Sequence, residues 1–122
     1  MTAASGFPRT ARLLKRDEFE GVLRAPEWRS ANQYFRISAR RNTAGYARLG
    51  LAIPKRMVRR AVARNRLKRI IRESFRVRQQ HLPACDFVLG IRSAAPEAGN
   101  AALFSALEEL WQRVRERPCD GS

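Results

Sequence analysis

Arg64-Asn65-Arg66 lies inside the stretch RRAVARNRLKRIIRESFR, Arg59 to Arg76, in which eight of eighteen residues carry a positive charge. Guanidinium and ammonium groups at this density suit one kind of chemistry, charge-assisted hydrogen bonding to phosphate oxygens. They do not by themselves break bonds. General acid–base catalysis needs a titrating group within hydrogen-bond reach of a partner, and the sole histidine, His81, has no evident one. It falls near the end of the long basic segment, where a partly positive ring suits the helix dipole. The eleven acids form no DxD or HxxE-type cluster. Cys85 and Cys119 are far apart and lack CxxC or Cys/His ligand spacing, so they read as reduced thiols. No catalytic residue and no metal site is expected in the chain.

The basic stretch also carries core residues. At about 100° per residue, Ala63, Leu67, Ile70, Ile71 and Ser74 fall within one arc of roughly 100°. Asn65, Arg66, Lys68, Arg69, Arg72 and Arg76 occupy the rest of the circumference, with Arg64 at a border. The apolar stripe anchors the helix while the cations stay outside as a rigid row. Like charges at Lys68/Arg72 and Arg72/Arg76 each weaken an isolated helix by a few tenths of a kcal/mol, about 0.2–0.5. Selection for stability alone would interleave glutamates, yet eleven cations face one acid, Glu73, between Lys55 and Arg78. That excess argues against an ordinary solvated face. The lack of Trp on the apolar side argues against membrane insertion.

These residues need a scaffold, and the chain supplies enough for one. Its 122 residues are 44% hydrophobic with no long Gly/Ser- or Pro-rich linker, which predicts a single domain over 1–122 with loose ends at 1–8 and 116–122. Twenty-five Lys and Arg against eleven Asp and Glu leave a formal charge of +14, which points to a polyanionic partner. Only Lys15, Lys55 and Lys68 are lysines. No apolar run reaches the roughly 18 residues of a membrane span, and the start MTAASGFPRT lacks a basic-then-apolar signal, so a cytoplasmic protein is expected.

Along the chain, LLKRDEFEGVL (Leu13 to Leu23) predicts a short helix ended by Ala25-Pro26. Trp28 to Ala31 fits an edge strand. Tyr34 to Arg40 alternates with period two, Asn42-Thr-Ala-Gly45 is a turn, and Ala47 to Ile53 alternates again. An antiparallel hairpin of those two strands is expected. After Pro54 a long helix runs between Val58 and Gln80. DFVLGIR (Asp86 to Arg92) reads as a buried strand, and Leu103 to Val114 as an amphipathic final helix.

VRRAVARNRLKRIIRESFR resembles the Arg-Asn-Arg signature helix of the protein subunit of bacterial ribonuclease P. RLGLAIPKR resembles that family's preceding strand and loop, RLLKRDEFEGVL its first helix with Phe19 in place, and HLPACDFVLGIR its last strand. The likeness keeps its order over roughly residues 7 to 115. It implies an α+β fold, an α-β-β-β-α-β-α sandwich with a four-stranded sheet and a left-handed β-α-β crossover, where most such crossovers are right-handed. It also implies a protein that binds the catalytic RNA and the 5′ leader of precursor tRNA, assisting endonucleolytic leader removal and requiring no protein partner. The chemistry would belong to the RNA and its Mg2+ ions.

By that resemblance Lys55, Arg56, Arg64, Asn65, Arg66, Lys68, Arg69 and Arg72 would face the RNA subunit. Phe19, Phe35 and Arg36 would lie at the leader cleft, where an aromatic ring can stack on any base. Ordinary core is the alternative for both phenylalanines. Leu23 stands where the family often has a second aromatic, and Pro54 replaces a small polar residue. A general basic RNA-binding or ribosomal protein is the competing function, because basic charge and a sheet recur in many such folds. DNA binding ranks lower, since no helix-turn-helix spacing surrounds the basic segment.

Overall fold

In the computed structural model, which describes residues 15–116, helices and strands follow the order α1 (Arg16–Arg24), β1 (Trp28–Ala31), β2 (Phe35–Arg41), β3 (Arg48–Ala52), α2 (Ala61–Arg78), β4 (Cys85–Ile91) and α3 (Asn100–Glu116). Short 3-10 turns at Gln79–His81 and Ala95–Glu97 lead into β4 and α3. The loose ends expected at 1–8 and 116–122 lie outside the described residues, apart from Glu116, which closes α3. So do Leu13 and Leu14 of the expected first helix.

The four strands form one mixed sheet in the order β1-β2-β4-β3. The expected β2–β3 hairpin does not exist. β4 inserts between them, antiparallel to β2 and parallel to β3, with Ser38 opposite Val88 and Gly50 opposite Val88 on the other side. The physical reason is burial. All seven residues of β4 are buried, and a strand covered on both faces belongs at the centre of a sheet, where both its edges are also paired. The segment from Asn42 to Ala47 then only has to cross one strand position, about 10 Å at the usual spacing. Gly45 turns it, with φ +89°, a conformation that disfavours other residues. β3 and β4 are joined by the α2 crossover.

Period two decides which side chains meet the helices. Phe35, Ile37 and Ala39 of β2 share a face with Phe87, Leu89 and Ile91 of β4, and all six are essentially inaccessible. α2 and α3 cover this face. Leu67, Ile70, Ile71, Ser74 and Phe75 are the buried side of α2, which is the expected stripe with Phe75 added and Ala63 at its margin. Ser74, a polar residue on that stripe, accepts a hydrogen bond from the indole N–H of Trp111 of α3 at 2.8 Å. Trp111 in turn meets Phe75 at a tilt and Phe87 edge-on, with ring centroids 5.7 and 6.1 Å apart.

Cys85 is buried under the same layer and is disulfide-bonded, so it is not the reduced thiol expected from the sequence. Separation along the chain does not report separation in space. Cys119 lies outside the described residues.

Candidate nucleic-acid interface

The second face of the sheet is built in transverse rows. Arg29, Ser38, Val88 and Gly50 are successive partners across the four strands, as are Ala31, Arg36, Gly90 and Ala52, and then Arg40, Asp86 and Arg48. α1 covers the last row. Arg40 Nη1 donates to the Gly21 carbonyl at 3.3 Å, and Arg48 Nη2 reaches Glu18 Oε2 at 3.2 Å. Arg48 also pairs with both carboxylate oxygens of Asp86, at 2.8 and 3.0 Å. The buried Asp86, which accepts a further bond from Asn42, holds the Arg48 guanidinium above its ordinary pKa, mainly through that hydrogen-bonded contact.

Glu18 does double duty, because its other oxygen accepts the Lys15 backbone N–H at the start of α1. The helix is thereby tied at one end of the sheet and leaves the first two rows open. Between them, Leu23 of α1 and the turn at Pro54–Met57 lies a groove of about 630 Å³. Arg29, Arg36 and Arg56 contribute cations to it, while Leu23, Met57 and Val88 contribute apolar wall and floor.

The outer face of α2 is the second cationic surface. Asn65 and Arg69 are exposed, and Lys68 and Arg72 are half-buried beside them. The first turn of α2 contains no acid to offset the positive end of its dipole, and Arg59 and Arg60 precede it. Glu73, the only acid on this helix, is neutralised within it by Arg76, whose guanidinium holds that carboxyl below the usual range. At the far end, Arg78 is paired with Glu108 of α3.

Two arginines of the signature work inside the domain. Arg64 Nη1 donates to the carbonyls of Val58 and Arg59 at 2.8 and 2.9 Å, closing the segment that enters α2. Arg66 donates to the Ala98 carbonyl at 2.6 Å and to Asn100 Oδ1 at 3.0 Å, tying α2 to the segment before α3. Arg64 and Arg66 are therefore bracing groups with spare N–H donors, while Asn65 and Arg69 face outward.

The expected cleft set divides. Arg36 lines the groove. Phe19 is half-buried on α1, one turn from Val22, and is not part of the groove lining. Phe35 is a correction: it is fully buried among the core residues between sheet and helices, so its ring cannot stack on a base. Neighbours in a strand point to opposite faces, so Phe35 and Arg36 cannot both serve one cleft. Lys55 is exposed in the turn after β3, and Arg56, expected on the α2 surface, also walls the groove. Sequence reading missed Arg29. Its alternation with Trp28 was visible, but only the register that sets Arg29 opposite Ser38 brings it beside Arg36.

Comparison with known proteins agrees with this architecture. The family described as Ribonuclease P matches residues 7–115. The Ribonuclease P protein component of Halorhodospira halophila is 69% identical over 122 residues, covering all of both chains. That of Escherichia coli is 46% identical over 107 residues, 88% of this chain and 89% of the relative. The RNase P protein of Staphylococcus aureus, solved at 2.0 Å, superposes with a TM-score of 0.80 at 27% identity, covering 88% of this chain and 97% of that one. A basic helix surface beside a cationic groove, on a sheet of this order and in a chain this similar throughout, has one reading: the chain belongs to the ribonuclease P protein family, the protein component of the ribonuclease that matures the 5′ end of tRNA.

Proposed function

We propose that this chain grips the catalytic RNA of ribonuclease P with the outer face of α2 and holds the 5′ leader of a precursor tRNA in the groove over Arg36. Asn65, Lys68, Arg69 and Arg72 face the RNA subunit, extended by Lys55 and by the free donors of Arg64 and Arg66. The observation that carries this reading is Arg56. It belongs to the basic segment that leads into α2 and at the same time walls the groove, so the two cationic surfaces are continuous. A ribozyme bound to one and a substrate strand lying in the other would be adjacent.

The chain supplies position and charge neutralisation, while bond cleavage belongs to the RNA and its magnesium ions. Among the described residues no group of three His, Cys, Asp or Glu side chains converges to hold a metal. Glu18 and Asp86 are both held by Arg48. No protein partner enters this scheme, and its setting is the cytoplasm. Among the described residues no helix is long and apolar enough to cross a membrane.

The test is reconstitution. Added to a bacterial ribonuclease P RNA in moderate magnesium, the purified chain stimulates leader removal. Equal stimulation by an unrelated basic peptide would reduce the effect to charge screening and favour a general RNA-binding role.

A further inference from the structure

We infer that Arg113 of α3, held by Glu109, is a positioning residue for the groove: it fixes the β1 wall from behind without lining the groove itself. The inference rests on the groove being the leader site and adds the device that keeps its outer wall in place.

The wall needs such a device. β1 has four residues and lies at the edge of the sheet, so only β2 pairs with it. Short strands with a single partner open more readily than central ones. Trp28 packs against the core, while Arg29, Ser30 and Ala31 line the groove. The ladder also leaves an acceptor pointing away from it. The Asn32 N–H donates to the Phe35 carbonyl at 2.9 Å, which places the hydrogen-bonded pairs at Asn32 and Ser30. Such pairs alternate along antiparallel strands, so the Ala31 carbonyl turns outward from β2.

Arg113 takes that carbonyl. Its Nη1 donates to the Ala31 oxygen at 2.9 Å and to Ser30 Oγ at 2.8 Å, and its Nη2 donates to Glu109 Oε2 at 2.9 Å. The other oxygen of Glu109 accepts from Asn32 Nδ2 at 3.2 Å, and the same amide donates to the Ala106 carbonyl at 2.9 Å. Asn32 Oδ1 accepts the backbone N–H groups of Tyr34 and Phe35, both at 3.1 Å, and so shapes the turn into β2. One carboxylate and one planar fork thus join α3 to the end of β1 and to the turn beyond it. The Cα partner of Ala31 is Arg36, so a shift of this wall changes its placement against a cation of the groove.

Stability alone gives little reason for the arrangement. Glu109 and Arg113 stand one turn apart with side chains 54% and 38% exposed, and such pairs add little to the folded state. α3 is anchored without them, because Leu103, Leu107, Leu110, Trp111 and Val114 are buried in the core. Loss of Arg113 should loosen the wall and leave the domain folded.

The experiment uses the holoenzyme reconstituted from this chain and a ribonuclease P RNA. It compares Arg113→Met, which keeps the stem and loses every donor, with Arg113→Lys and with Arg36→Gln in the groove. Measured are Kd for precursor and for mature tRNA, Kd for the RNA subunit, and urea unfolding of the free chain. Arg113→Met is expected to lower the precursor's advantage over mature tRNA by roughly three- to tenfold, below the hundredfold that a misplacement of about 1 Å can cost. Affinities for mature tRNA and for the RNA subunit should stay within about twofold. Arg113→Lys, with one ammonium in place of the planar fork, should recover part of the loss. A merely stabilising Arg113 would weaken all three affinities together, in step with unfolding. That result, or an unchanged precursor advantage in Arg113→Met where Arg36→Gln lowers it, would overturn the inference and leave the groove as the leader site. If Arg36→Gln and Arg113→Met both leave the advantage unchanged, the groove reading falls with the inference.

Discussion

Arg48 and Asp86 face each other across the parallel β3–β4 pair with two hydrogen bonds, 2.8 and 3.0 Å long, and the same guanidinium reaches Glu18 on α1. One side chain thus joins the central strand β4 and the edge strand β3 to the helix that walls the groove. Asp86 is only 8% exposed, so removing its partner leaves a buried charge. Arg48→Met is expected to cost about 3–5 kcal/mol in urea unfolding, whereas Arg48→Met with Asp86→Leu should recover much of that loss. If the double variant is no more stable than the single one, Asp86 is not the group that depends on Arg48.

Arg66 and Arg69 are three residues apart and should behave differently. Arg66→Ala removes the ties to Ala98 and Asn100 and should destabilise the domain by about 1.5–3 kcal/mol, as well as weakening assembly with RNA. Arg69 is exposed, so Arg69→Ala should leave unfolding within about 0.5 kcal/mol of the parent and act on RNA affinity alone. Denaturant titration and filter binding on the same preparations separate the two roles.

Phe35→Ala should cost about 3–5 kcal/mol in unfolding, the usual loss for a large aromatic removed from a core. Phe35→Leu should cost less. Neither should change the preference for precursor over mature tRNA once the protein is folded at the assay temperature. A selective loss of precursor binding with unchanged stability would return the ring to the cleft.

If the outer face of α2 neutralises about 6 phosphates, affinity for the RNA subunit should fall on the order of a thousandfold between roughly 50 and 200 mM salt. Equilibrium binding at four or five salt concentrations gives the slope. A flat response would remove the phosphate-gripping role from this helix.

The sequence by itself determined the elements and their chemical character. The period of Leu67, Ile70, Ile71 and Ser74 located the buried side of α2, and the eleven cations against one acid identified its outer face as a surface for a polyanion, because local periodicity and charge are properties of the chain alone. The apolar run at β4 already carried the information that it is central, although the short turn after β2 pointed to a hairpin. What only the tertiary structure decided was pairing. The register that sets Arg29 beside Ser38 and Arg36 over Gly90 made the groove, and the acceptors that reached Arg64, Arg66 and Arg48 turned three of many similar cations into braces. A guanidinium carries the same charge wherever it stands, and whether it holds the fold or waits for a phosphate depends on which carbonyl or carboxylate the folded chain brings within about 3 Å of it.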